Sequence, residues 1–224
     1  MSEGVNEGIE RFLSENTYAF YTSRDNHVIK LIKDGRAFTR RQIEQILIVN
    51  RKSSKRITQR ILKRLYEQER IKKRVYAPQL PTVYYVDKPK HIEHALLINE
   101  VYCSLIEQRL SLYKVEWHWN YNVLNGMAIA DALIIIHTGK NRIVVFLEVE
   151  RNPLRRFDKD AKYEAIYDAD WINEEWSVIK NNTAIFPAIL IVTDEQLEIN
   201  SGLNFIVASI DQIRKDIYSV ILRR

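Results

Sequence analysis

The stretch VVFLEVER, Val144 to Arg151, begins as a strand of buried character and ends with two carboxylates two residues apart. Side chains alternate faces along a strand, so Glu148 and Glu150 point the same way, and their next neighbour on that face is the apolar Phe146. An acidic pair on so hydrophobic a strand needs a partner. The preceding run IADALIIIH reads as another strand, and TGKN between them as a tight turn. If Gly139-Lys140 is a two-residue turn, Thr138 pairs with Asn141 and Asp131 falls directly opposite Glu148. Opposed side chains have Cβ atoms about 4.5–5.5 Å apart, and like charges there are destabilising. Glu150 lies diagonally from Asp131 on the same face. Three carboxylates then converge, and either a raised pKa or a cation must relieve them. Hard divalent cations such as Mg²⁺ accept oxygen ligands of this kind. A three-residue turn would shift the register and undo the opposition. The plainer alternative is a solvated acidic face paired with Arg151, Arg155 and Arg156.

Around this hairpin the pattern is that of an α/β sheet domain. HIEHALLINEVYCSLIEQRL is an amphipathic helix with Ala95, Ile98, Tyr102, Leu105 and Ile106 as its stripe and Glu100 to one side. VEWHWNYNV alternates as a half-buried strand does. Asn152-Pro153 supplies a cap and a first-turn proline for the helix LRRFDKDAKYEAIY. FPAILIVTD is apolar enough for a strand buried on both faces, and NFIVAS and DQIRKDIYSVIL add a last strand and helix. The order is αβββαβ, then β and α. The last helix carries the stripe Ile213, Ile217, Val220 and Ile221, which suits either the core or a dimer interface. Trp117, Trp119, Trp171 and Trp176 read as core. His137 shares the face of Asp131 but lies too far along the strand to ligate with it.

Upstream the charge changes sign. Between Arg24 and Leu80 there are 17 Lys+Arg against 5 Asp+Glu, a net of +12, so the remaining residues carry −7 of the chain's +5. A basic segment joined to an acidic one reads as two modules, and the division expected here is 1–88 and 89–224. In the first, Val28, Leu31 and Ile32 mark a helix ending at Asp34-Gly35. Thr39 and Gln42 form a capping-box pattern for a second helix, and a third runs from about Ser54 to Gln68 with Ile57, Ile61, Leu62 and Leu65 inward. The runs IKKRVYA and TVYYV make a β-hairpin. Three helices followed by a hairpin is the layout of a winged helix-turn-helix, whose third helix enters the major groove of double-stranded DNA. On that reading Lys55, Arg56, Gln59, Arg60 and Lys63 face the bases and backbone, Ser53, Ser54 and Thr58 donate to phosphates, and Lys72, Lys73 and Arg74 add salt-sensitive contacts from the wing. A helical module that docks a protein is the alternative.

The totals bound the rest. With 224 residues, 46% hydrophobic and 28% charged, the chain has the composition of an ordinary folded protein. A single cysteine, Cys103, excludes an internal disulfide and fits a reducing compartment. No apolar run approaches the roughly 20 residues that span a bilayer, and MSEGVNEGIERF has no signal-peptide core, so a cytoplasmic protein is expected. No glycine loop has phosphate-cradling spacing.

The carboxylate on the second strand followed by Glu148-Val149-Glu150 on the third, between two helices, resembles the PD-(D/E)xK nuclease core. The resemblance implies Mg²⁺ held by Asp131, Glu148 and Glu150, a catalytic lysine, and an additional acid at Glu100. Ala130-Asp131 lacks the usual proline, and Glu150 stands where lysine is usual. Nucleases of this kind can carry the lysine on the following helix, where Lys162, beside Tyr163 and Tyr167, is the preferred substitute and Lys159 the other. More specifically, a winged helix followed by HALLINEVY, IADALIII, FLEVER and KYEAIY resembles the replication-relaxation family of bacterial plasmids and mobile elements. That resemblance implies a role in plasmid replication and DNA relaxation, with or without Mg²⁺-dependent nicking. The alternative is a non-catalytic replication accessory factor or transcriptional repressor whose second domain dimerises or recruits partners.

Overall fold

The computed structural model describes residues 23–47, 53–75, 81–109, 113–139, 141–151, 159–180 and 183–222. The chain divides into two compact units, Met1–Ile92 and Glu93–Arg224. Both mix helices with sheet. No helix among the described residues is long and apolar enough to cross a membrane.

In the first unit, helix α1 (23–34) buries Val28, Leu31 and Ile32 and stops at Gly35, whose N–H donates to the Leu31 carbonyl at 3.0 Å. Strand β1 (Phe38–Thr39) leads directly into α2 (Arg40–Leu47). The expected capping box closes that start. The Thr39 N–H donates to Gln42 Oε1 at 3.0 Å, and the Gln42 N–H returns to Thr39 Oγ1 at 3.3 Å. Helix α3 (Ser54–Glu67) buries Ile61, Leu62 and Leu65. Strands β2 (Lys72–Arg74) and β3 (Val83–Tyr85) pair antiparallel, and β1 adds to β3 to give a three-stranded sheet ordered β1-β3-β2. Asp25 of α1, only 5% exposed, is held by the Arg64 guanidinium of α3, Nε to Oδ2 at 3.0 Å. Arg64 therefore turns inward, unlike its cationic neighbours on α3.

The second unit is a five-stranded sheet ordered β10-β9-β6-β5-β4, with helices on both faces. Helix α4 (Ile92–Glu107) precedes β4 (Tyr113–Val123), β5 (Ala128–Thr138) and β6 (Asn141–Val149). Helix α5 (Asp160–Tyr167) follows; the expected cap at Asn152-Pro153 and the residues 154–158 lie outside the described residues. A short hairpin, β7 (Val178–Lys180) with β8 (Thr183–Ile185), then intervenes before β9 (Ala188–Val192), β10 (Phe205–Ala208) and α6 (Ile210–Leu222). Strands β6, β9 and β10 run parallel, and all five residues of β9 are buried, as its uninterrupted apolar sequence requires.

Alternation along the strands sorts the core into two layers. Ile134, Ile136, Val145, Leu147, Leu190 and Val192 pack with Ile98, Val101 and Leu105 of α4 and with Ile213, Ile217 and Ile221 of α6. Leu133, Ile135, Val144, Phe146, Ile189 and Ile191 face the other way, against Tyr163 and Ile166 of α5 and against Trp171 and Trp176. Ile213, Ile217 and Ile221 of the α6 stripe are thus in the unit's own core, with Val220 partly buried against it. Trp117 and Trp119 are half-buried and pack against Tyr102 with ring centroids 5.0 Å away, Trp117 tilted and Trp119 edge-on.

Candidate functional site

The β5–β6 register is the one a two-residue turn dictates: Thr138 pairs with Asn141 and the ladder runs without a slip to Ala132–Leu147. Gly139 opens the turn at φ +64, a left-handed conformation that glycine adopts without a Cβ penalty. The ladder ends one residue short of Asp131 and Glu148, which lie within electrostatic reach of each other. Glu148 leaves the sheet on the face covered by α5, near the carboxyl ends of the parallel strands. That end of an open α/β sheet is where ligand crevices form.

Glu148 is 2% exposed. Its Oε1 accepts a hydrogen bond from the Tyr163 hydroxyl at 2.7 Å, and its Oε2 accepts from the Lys159 ammonium. Burial is the largest influence on it and pushes its pKa up from 4.5 to about 7, with Asp131 adding to the rise and Lys159 opposing it. For Lys159, burial alone would lower the pKa, but the charge and hydrogen bond of Glu148, then Asp131 and Glu150, outweigh it and leave the ammonium favoured. Two carboxylates about 5 Å apart at an effective dielectric near 20 repel by about 3 kcal/mol, whereas an ammonium in contact attracts by about 5 kcal/mol on the same scale. The lysine wins. The strain that the acidic pair presents is relieved by both available routes, a raised pKa on Glu148 and a cation supplied by the chain itself.

The identity of that lysine depends on how α5 is turned. Lys159 sits at the N-cap of α5, four residues before the fully buried Tyr163, and positions i and i+4 share one helix face. Lys162, the residue favoured on sequence grounds, is one step round the helix from Tyr163 and is exposed. In the structure Lys159 is the lysine that meets Glu148.

Asp131 is held from two sides. Its Oδ2 accepts the Val149 backbone N–H at 2.8 Å, and its Oδ1 lies 2.9 Å from His94 Nε2. His94 is on α4, six residues before Glu100, hence about 120° away round the helix. Glu100 instead receives the Arg214 guanidinium of α6 at 2.9 Å, so it does not join the acids as expected. Glu150 lies just past the end of β6. Its backbone N–H donates to the Val192 carbonyl at 3.0 Å and its Oε1 accepts the Arg151 N–H at 3.0 Å. It borders a cavity of about 150 Å³ with Arg151, Thr193 and Asp194. Glu93 at the start of α4 pairs with Arg151. The three expected carboxylates all bear electrostatically on Lys159, Glu148 most and Glu150 least. Among the described residues, no three His, Cys, Asp or Glu side chains stand grouped as metal ligands. In kind, the oxygens of Asp131, Glu148 and Glu150 suit a hard divalent cation. As they stand, both Glu148 oxygens and both Asp131 oxygens already meet partners within the unit.

In the first unit, Lys55, Arg56, Gln59, Arg60 and Lys63 all lie on the exposed face of α3, and all three residues of β2, Lys72, Lys73 and Arg74, are exposed. Two expected phosphate donors are not free to act. Thr58 is 1% exposed because it falls on the inward stripe with Ile61 and Leu62, and Ser54 Oγ donates to Glu44 Oε1 of α2 at 2.6 Å. His94 gave no signal in the sequence as a site residue, because only the packing of α4 beside β5 brings it to Asp131. Comparison with protein-family models, with curated proteins and with solved structures finds no match for this chain.

Proposed function

We propose that this chain is a DNA-binding protein whose first unit is a winged helix-turn-helix and whose second is a nuclease core of the PD-(D/E)xK kind, acting on plasmid DNA in replication or relaxation as the replication-relaxation family does. The first assignment is supported by the order α1-β1-α2-α3-β2-β3, by the β1-β3-β2 sheet, and by the cations along α3 and β2. One observation carries the second. Lys159, arriving from the helix after β6, meets Glu148 beside Asp131, and so supplies from α5 the charge that Glu150 denies the strand.

In this reading Asp131, Glu148 and Glu150 would hold Mg²⁺, which would supply a water of lowered pKa and neutralise charge on the phosphate. Lys159 places its ammonium where charge develops on the phosphate in transit. Tyr163 fixes the orientation of Glu148 through its hydroxyl, and His94 with the Val149 N–H fixes that of Asp131. The first unit holds the duplex by cation–phosphate contacts.

Supercoiled plasmid incubated with Mg²⁺ should be converted to the open-circular form by the wild type, and not by Asp131→Asn or Glu148→Gln. Plasmid left intact by the wild type sinks the nuclease assignment. A second reading is favoured by the way Lys159 and Tyr163 already satisfy both Glu148 oxygens. It is a non-catalytic accessory factor or repressor that grips DNA through the first unit and uses the second for a partner or a second copy. Salt-dependent DNA binding that needs no metal, with the plasmid intact, decides for it.

A further inference from the structure

Beside the exposed face of α3, the first unit holds a groove of about 550 Å³. Four cations from three elements line it: Arg40 and Arg41 of α2, Lys63 of α3 and Lys73 of β2. Two tyrosines join them, Tyr66 of α3 and Tyr84 of β3. Glu67, the acid on the lining, is 3.7 Å from Lys63 and partly offsets it. Tyr84 is paired with Lys73 across the hairpin, so their side chains share a face. The Lys73 ammonium stands 4.1 Å from the centroid of the Tyr66 ring.

A surface that only follows the duplex backbone needs cations and hydrogen-bond donors. Tyrosine hydroxyls can serve as such donors, but the exposed ring of Tyr66 offers an aromatic surface as well. Tyr66 is 41% exposed, although Ile61, Leu62 and Leu65 on the same helix are buried. Lys73 stands over its ring, so the aromatic surface and the cation meet in the groove. An aromatic surface set among cations is the chemistry that receives an unstacked base with its phosphate, because every base has a π-face. The volume falls within the range of about 300–1,000 Å³ typical of small-ligand sites, ample for one nucleotide.

We propose that this groove takes one unpaired nucleotide, its base against Tyr66 and Tyr84 and its phosphate on Arg41, Lys63 and Lys73. The first unit then recognises the junction where a duplex opens into a single strand. The inference rests on the DNA-binding reading above and adds the substrate class. A strand end or a free mononucleotide could supply the same chemistry, so the test separates them.

Fluorescence anisotropy of the full-length chain should show a duplex with a single-stranded tail binding about tenfold tighter than the same duplex with blunt ends, the increment expected for one stacked base. Tyr66→Ala should erase that preference while blunt-duplex binding persists, and Tyr66→Phe should keep it. A fluorescent adenine analogue at the first unpaired position should change its emission with the wild type and with Tyr66→Phe only. Equal affinity for blunt and tailed DNA, with a silent fluorophore, overturns the inference and leaves duplex binding standing. Absence of binding to either DNA overturns the inference and the DNA-binding reading together. Binding of deoxyadenosine monophosphate that is lost in Tyr66→Ala, without any preference for tailed DNA, overturns the junction and moves the site to free nucleotide.

Discussion

Helix α3 carries Lys55, Arg56, Arg60 and Lys63 into solvent, whereas the second unit takes Glu148 to 2% exposure and delivers Lys159 to it. Among the described residues, each unit has a buried carboxylate paired with a cation, and the two pairs differ. Asp25 with Arg64 joins two helices through a guanidinium that donates from two nitrogens. Glu148 with Lys159 has Asp131 and Glu150 within electrostatic reach and lies at the carboxyl end of parallel strands. A buried pair that ties one helix to another is a fastening. A pair crowded by further like charges, beside strand ends where crevices form, is the arrangement that active sites use to displace ionisation. The contrast separates the charges that hold this protein together from those that can do chemistry.

The largest effect that would break the comparison is on DNA cleavage. Lys159→Met should lower the rate of Mg²⁺-dependent nicking by about 100-fold, the scale for removing one electrostatic group from a reacting centre. Lys162→Met should leave it nearly unchanged. Equal losses in the two variants, read on supercoiled plasmid, would remove the distinction drawn between them.

Stability against pH comes next. The folded state raises the Glu148 pKa from 4.5 to about 7, so it binds that proton more tightly than the unfolded chain does. The resulting stabilisation is complete below about pH 4.5 and is lost as pH rises toward about 7, amounting to about 3 kcal/mol. Urea unfolding across that window should show the decline in the wild type and a flatter profile in Glu148→Gln. An unchanged decline in the variant would assign it to another group.

In the first unit the asymmetry of the Asp25–Arg64 pair is the sharper test. Arg64→Met strands a carboxylate that is 6% exposed and should cost about 3 kcal/mol. Asp25→Asn leaves a guanidinium 33% exposed, which can reach water, and should cost less. Chemical denaturation of both variants orders them; the reverse order would mean the arginine is not the fastening partner. The smallest effect concerns exposed charge. Arg56→Ala and Arg60→Ala should each reduce the slope of log affinity against log salt by about 0.9, without altering the unfolding midpoint appreciably. A slope that both variants leave intact would take α3 off the DNA.

Much of this was legible in the chain itself. The Thr39–Gln42 box, the stop at Gly35, the buried run of β9 and the Thr138–Asn141 register are each written in residues close together in sequence. The short β7–β8 hairpin was not, because three-residue strands carry too few alternations to stand out from a loop. Nor was the inward turn of Thr58 and Arg64, which share α3 with residues of like polarity that face water.

Residues close together in the chain set the local order: where helices start and stop, which face of each strand is apolar, and, from a two-residue turn, the register that carries Asp131 toward Glu148. Tertiary structure alone decided which groups answer that acidic pair. Lys159 rather than Lys162, and His94 rather than Glu100, follow from how α5 and α4 are rotated against the sheet. Successive helix positions are about 100° apart, so a modest rotation exchanges one candidate for its neighbour. Spacing along the chain names the candidates, and packing of the apolar faces selects among them.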